Sequence, residues 1–258
     1  MADRRLRKLR LPLLIGICGA LSACAYNEQL GRNQLLLVDD AALAQSAQTA
    51  WSEVLATSKV SQDREANARV ARVAERLVRA AGLGDRRWEY VVFDDAQANA
   101  FVVPGGRIGV NTGLLAIAEN DDQLAAVIGH ELAHSVTNHA AERYSQAAAT
   151  QLALGVGQAA LGSRVSQETA QRIAALGGAG AQLGVLLPFS RQHELEADRL
   201  GVDFMARAGY RPSEAVALWR NMERARTTGR PPQFLSTHPS EASRIEALER
   251  YIASRQMR

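Results

Sequence analysis

The sequence predicts an α+β fold, mostly helical, with a small sheet beside one central helix. Apolar residues recur at helical spacing along several long stretches, whereas strand-like alternation is confined to residues 88–111. No internal repeat and no long Pro- or Ser-rich linker breaks residues 34–258, which suit a single moderately large domain.

Residues 1–23 are expected to be a lipoprotein signal peptide. Arg4, Arg5, Arg7, Lys8 and Arg10 make a basic start, followed by the apolar run Leu11–Ala23. That run is about 20 Å of helix, too short for a hydrocarbon core of roughly 30 Å. It ends in Leu21-Ser22-Ala23-Cys24, which resembles the bacterial lipobox, so Cys24 is the expected lipidation site. Ala25 follows where an Asp would resemble an inner-membrane retention signal. In a Gram-negative host the chain is therefore expected in the cell envelope, anchored to the outer membrane and facing the periplasm. Residues 24–33 read as a lipidated tether. Loss of the leader's five basic residues and one acidic residue takes the formal charge from +3 to about −1. The basic balance belongs to the leader, and no nucleic-acid partner is expected. Cys18 leaves with the leader and Cys24 takes lipid, so one mature chain can form no disulfide.

Residues 39–58 and 61–81 read as amphipathic helices, with Gly82-Leu83-Gly84 ending the second. Trp88–Phe93, Asn99–Val103 and Arg107–Asn111 read as strands, the last two joined around Pro104-Gly105-Gly106. Asn120-Asp121-Asp122 offers N-cap chemistry for a helix over about 121–144, in which Leu124, Val127, Ile128, Leu132 and Val136 hold the apolar spacing. Gly129 costs that helix stability, which suggests another backbone packed closely against it. The uncharged, Ala- and Gly-rich runs 146–162 and 173–189 are short for membrane spans. They are expected to dock over the site as a lid. Another helix runs to about Arg207, and the rest is expected to be helical, ending with about 241–254.

His130-Glu131-Leu132-Ala133-His134 carries the chemistry. Imidazoles four apart lie about 40° apart around a helix, so both reach one metal ion from one face. The Glu between them flanks that face, placed to take a proton from a metal-bound water. This is the H-E-x-x-H pattern of zinc metallopeptidases. His139 falls about 180° from His130 on a continuous helix and should point away. A third ligand is expected in Ser190-Arg191-Gln192-His193-Glu194-Leu195-Glu196-Ala197-Asp198. Glu194 and Asp198 are a turn apart: one carboxylate could bind the metal while the other holds a ligand imidazole by its free N–H. Glu196, about 200° from Glu194, should face elsewhere, and His193 is left without a role.

The pairing of G-H-E-L-A-H with S-R-x-x-E-x-E-A-D resembles the HtpX/BepA-like zinc metallopeptidases, the family of the CaaX prenyl endopeptidase. Gln34–Val38, Asn99-Ala100-Phe101 through Gly106, and Ser236-Thr237-His238-Pro239 match as well, so the likeness covers about residues 34–250. It implies a zincin-like, gluzincin-type endopeptidase with one Zn²⁺ per chain, held by His130, His134 and Glu194. Glu131 is then the general base and Asp198 supports a ligand. It also implies a substrate main chain laid along the edge strand at Asn99, Ala100 and Phe101. Arg244, six residues after His238, is the candidate that assists the oxyanion. His238 precedes a proline and so lies on a loop or at a helix entry. The resemblance implies that it occupies the metal's open position as a latch; the alternative is a transition-state role. The expected substrates are unfolded or misassembled envelope proteins, with the outer-membrane assembly machinery as a further partner. A chaperone or assembly factor with a latent, self-inhibited zinc site is the alternative of a different class. An intact Glu131 speaks against it.

Overall fold

The computed structural model describes residues 24–38, 40–161, 189–227, 232–239 and 242–256. The expected signal peptide and most of the second uncharged run lie outside them. The chain opens with a hairpin, β1 (Cys24–Asn27) paired antiparallel with β2 (Arg32–Leu35). The stretch expected as a lipidated tether, 24–33, lies within this hairpin. Asn27 makes the turn: its side-chain oxygen accepts from Gln29 and Leu30 N–H groups, and Gly31 takes a positive φ of 66°. Gln34 then anchors the hairpin, donating to Thr137 O at 2.8 Å and to Glu142 Oε2 at 2.6 Å.

Helices α1 (Asp40–Thr57) and α2 (Arg64–Ala80) follow. Asp63 caps α2 by accepting from the Glu65 and Ala66 N–H groups, and Val70, Val73, Ala74, Leu77 and Val78 face the core. Strands β3 (Glu89–Phe93), β4 (Ala100–Val103) and β5 (Arg107–Asn111) form a sheet of order β3-β5-β4. β3 runs parallel to β5 and β4 antiparallel to it, which leaves β4 an edge. On one face of the sheet Ala100, Ile108 and Val110 join the main core. On the other, Trp51 of α1 packs with Phe93 and Phe101. Phe101 lies over Gly109, where any Cβ would meet its ring at 2.5 Å.

After the short helix α3 (Thr112–Ile117) comes the central helix α4 (Asp121–Val136). Almost every residue from Gln123 to His134 is buried in it, because α2, β4 and later helices enclose it. The continuous helix expected over 121–144 is in fact two. Asn138 adopts a left-handed φ of 55°, ending α4 and redirecting the chain into α5 (His139–Leu161). Next come α6 (Arg191–Arg207), α7 (Ser213–Thr227), the single turn α8 (Phe234–Thr237) and α9 (Ala242–Ser254). Among the described residues no helix is long and apolar enough to cross a membrane.

α4 and α6 cross at two glycines. A Cβ on Gly129 would meet Gly201 O at 3.0 Å, and one on Gly201 would meet His130 N at 3.0 Å. The expectation of a close backbone at Gly129 is met by a second glycine. That approach lets side chains from both helices converge.

Candidate metal centre

Asn120 caps α4 through Gln123 N–H, and from there the helix delivers His130 and His134 to one buried face. Their Nε2 atoms are 3.1 Å apart. Ser190 caps α6 through His193 N–H, so Glu194 enters in the first turn. Glu194 Oε2 lies 3.4 Å from His130 Nε2, and Oε1 lies 3.4 Å from His134 Nε2. His238, at the end of α8, places Nδ1 3.0 Å from Glu194 Oε1 and 3.2 Å from His130 Nε2. Four buried donors thus converge.

The donor set fits a small divalent metal with zinc's preferences. Four tetrahedral ligands at about 2.0–2.1 Å from zinc would be separated by roughly 3.3–3.4 Å. The five separations given above are 3.0 to 3.4 Å, and all four donors lie within 4.8 Å of one another. Burial opposes a charge on His130, yet Glu194 and Asp198 outweigh it and raise its pKa to about 9. Burial pushes His134 well below the ordinary imidazole range. Burial also works against the Glu194 carboxylate, but Arg244 and His130 hold it far down.

Asp198 stands behind His130, its Oδ1 3.0 Å from Nδ1. Arg244 is almost fully buried, stacked 4.0 Å over Trp219. Its Nε and Nη2 donate to Asp198 at 2.5 and 2.8 Å, and Nη1 lies 2.5 Å from Glu194 Oε2 as an ion pair out of hydrogen-bond alignment. The guanidinium sits behind the carboxylates with all three nitrogens engaged. Its contacts with Asp198, Glu194 and the Pro239 carbonyl support the two carboxylates of the site.

Glu131 is buried, and burial raises its pKa; His238, His130 and the Val102 N–H work against that rise. Its Oε1 has no aligned hydrogen-bond partner and lies 3.2 Å from His238 Nε2. Along β4, Asn99 O accepts from Asn111 N on the β5 side, whereas Ala98 O accepts from Phe234 N. Main-chain groups of Ala98, Ala100 and Val102 therefore face away from β5. The Phe101 side chain points into the Trp51 cluster.

A second polar group adjoins the first. His139, expected to point away, instead places Nδ1 2.9 Å from His134 Nδ1, because the turn at Asn138 replaces the continuous helix. Glu196 touches none of the four donors and binds His139 Nε2 at 3.1 Å. Arg32 of β2 donates to Glu196 at 2.7 and 2.8 Å and to Glu142 at 2.7 and 2.9 Å. His193 binds Glu142 at 3.1 Å and stacks on His139 with ring centres 4.4 Å apart. His139, Glu142 and His193 are close enough to hold an ion of their own, but the Arg32 guanidinium already supplies the cation there. This layer was missed in the sequence. Its one legible signal was Thr137-Asn138, since Asn is a common left-handed helix terminator.

A zincin-like metallopeptidase is the class that this fold and cluster define: two His from one helix, a Glu from the helix crossing it, and a buried Glu between the His residues. Comparison with known proteins agrees. The sequence profile of peptidase family M48 matches residues 64–252. Mitochondrial metalloendopeptidase OMA1 of Schizosaccharomyces pombe is 35% identical over 73% of this chain and 54% of its own length. Its Bos taurus counterpart is 32% identical over 96% of this chain and 51% of its own. The β-barrel assembly-enhancing protease of Escherichia coli K12 is 32% identical over 66% of this chain and 35% of its own. The chain belongs to peptidase family M48. It spans about half the length of the mitochondrial relatives and about a third of the bacterial one.

Proposed function

We propose that this chain is a zinc-dependent endopeptidase of the bacterial envelope that clears misfolded or misassembled outer-membrane or periplasmic proteins. The observation that carries the peptidase reading is the convergence of His130, His134, Glu194 and His238 beside a buried Glu131. The compartment and substrates rest on the lipobox-like Leu21–Cys24 and on likeness to a relative named for β-barrel assembly. Mitochondrial relatives are as similar, so likeness alone favours neither compartment.

His130, His134 and Glu194 would hold the metal. Bound there, zinc supplies a Lewis acid and makes water acidic enough to give up a proton near neutral pH. Glu131 would be the base that takes a proton from the attacking water and would then deliver it to the leaving amine nitrogen. Its raised pKa suits a group that must both accept and release a proton. Asp198 orients the His130 ring, and Arg244 fixes Asp198 and Glu194 so that neither carboxylate swings into the space the substrate needs. The outward main-chain groups of β4 offer an edge on which an extended substrate aligns by backbone hydrogen bonds.

In this reading His238 is the resting occupant of the fourth position. Its Nδ1 belongs to the donor cluster while Nε2 faces the base, so one side chain covers both the open position and Glu131. This supports a self-inhibited resting enzyme. Glu131→Gln should retain one zinc per chain and lose at least about 10²-fold in hydrolysis of an unfolded outer-membrane protein, the lower end of general-base contributions. Near-normal turnover in that variant would remove the mechanism. A cellular role untouched by it would favour the chaperone reading.

A further inference from the structure

We propose that His139 is a positioning residue for His134, holding its ring in the tautomer that turns a bare Nε2 toward the metal, and that Glu196 and Arg32 hold His139 in turn. The inference rests on the metal reading of the site. It follows from which atoms can donate.

His134 Nδ1 and His139 Nδ1 are 2.9 Å apart. Two lone pairs at that distance repel, and two N–H groups collide, so one proton lies between them. At the far side of His139, Nε2 is 3.1 Å from Glu196 Oε2. A carboxylate engaged by a guanidinium is an acceptor only, so His139 carries its proton on Nε2. His139 Nδ1 is then the acceptor and His134 Nδ1 the donor. The His134 ring has one proton left to place, and it is spent. Nε2 faces the cluster with a free lone pair.

A doubly protonated His139 would reverse the first bond. That would leave His134, with Nε2 turned to the metal, no proton on either nitrogen. The His139 ring is fully buried, the His193 ring lies flat against it, and the Arg32 guanidinium bound to Glu196 is already the cation of this group. Each end of the relay is fixed by a different element: His134 by α4, His139 by the first residue of α5, Glu196 by α6 and Arg32 by the hairpin. The two histidines of the motif are thus supported differently. Asp198 contacts His130 directly, whereas His134 reaches its carboxylate only through a second imidazole.

Metal-binding imidazoles lose roughly 10–100-fold in metal affinity when the acceptor behind them is removed. The relay predicts that size of loss for His139→Leu, measured on the full chain by competition with a chromophoric zinc chelator. His139→Gln offers an oxygen to His134 and an N–H to Glu196, so it should stay within about threefold of the wild type. Wild-type affinity in His139→Leu would overturn the proposal, as would equal losses in both variants, which would mean that only the ring's bulk matters. Should the Leu variant fail to fold, long-range ¹⁵N–¹H correlation spectra of the zinc-loaded wild type decide the question. They should show His134 protonated on Nδ1 and His139 on Nε2 alone; any other pattern at His139 refutes the relay. A wild-type chain that takes up no zinc would instead remove the metal reading itself.

Discussion

His238 does the most with the least support. It hangs from a single turn, α8, stacked on Phe234 at 4.3 Å and beside Phe189 at 5.2 Å, yet it touches Glu131, Glu194 and His130. Losing the imidazole should open the fourth position without disturbing the other three donors. His238→Ala is therefore expected to keep its zinc and raise basal proteolysis and self-cleavage several-fold, read by peptide turnover and metal content together. Retained zinc with lower turnover would instead assign His238 to the transition state. His130, Glu131 and His134 were readable in the sequence because a spacing of four on one helix depends on nothing outside that helix. Arg244 was singled out in the sequence, but its carboxylate partners were not. Which carboxylates a buried guanidinium meets is decided by how α9 packs on α6, and no local pattern encodes that.

At the scale of elements, the crossing of α4 on α6 sets how far Glu194 and Asp198 stand from His130. Gly129 and Gly201 allow that distance, and an Ala at Gly201 would press on the backbone of His130 and Gly129 at 3.0 to 3.2 Å. Ala gains up to about 1 kcal/mol of helix propensity. Overpacking against backbone costs about 1–3 kcal/mol. Gly201→Ala should thus lose up to roughly 2 kcal/mol in denaturant unfolding and bind zinc more weakly, since the helices part at the site. A more stable variant with unchanged zinc affinity would refute the reading. Most elements were legible: α1, α2, β3–β5, α6 and α9 fall within a few residues of their sequence boundaries, because each carries its own periodicity and stop signals. Two were not. Asn138 broke a helix whose apolar pattern ran on, and the polar hairpin at 24–35 has almost no apolar alternation to reveal it. Its order comes from Gln34 and Arg32 bonding to distant residues.

For the whole molecule, the placement of the N-terminal region is as informative as the core. If Cys24 carries lipid, wild type should stay with the membrane through high-salt washing, because each buried CH₂ contributes about 0.8 kcal/mol. Cys24→Ala should appear as an unprocessed or soluble exported product. Wild type free in the soluble fraction would refute the anchor. An anchored chain of this build would have no slack. Seven residues lie between Cys24 and Arg32; the segment folds back as a hairpin, and Arg32 is fastened to Glu142 and Glu196. The catalytic centre would ride at a fixed height above the bilayer, within the span of one domain whose radius of gyration is about 18 Å. Such an enzyme patrols a surface rather than a volume. Polypeptides dispersed through the compartment would escape it, and those stalled at the membrane would meet it at a rate set by its density in two dimensions.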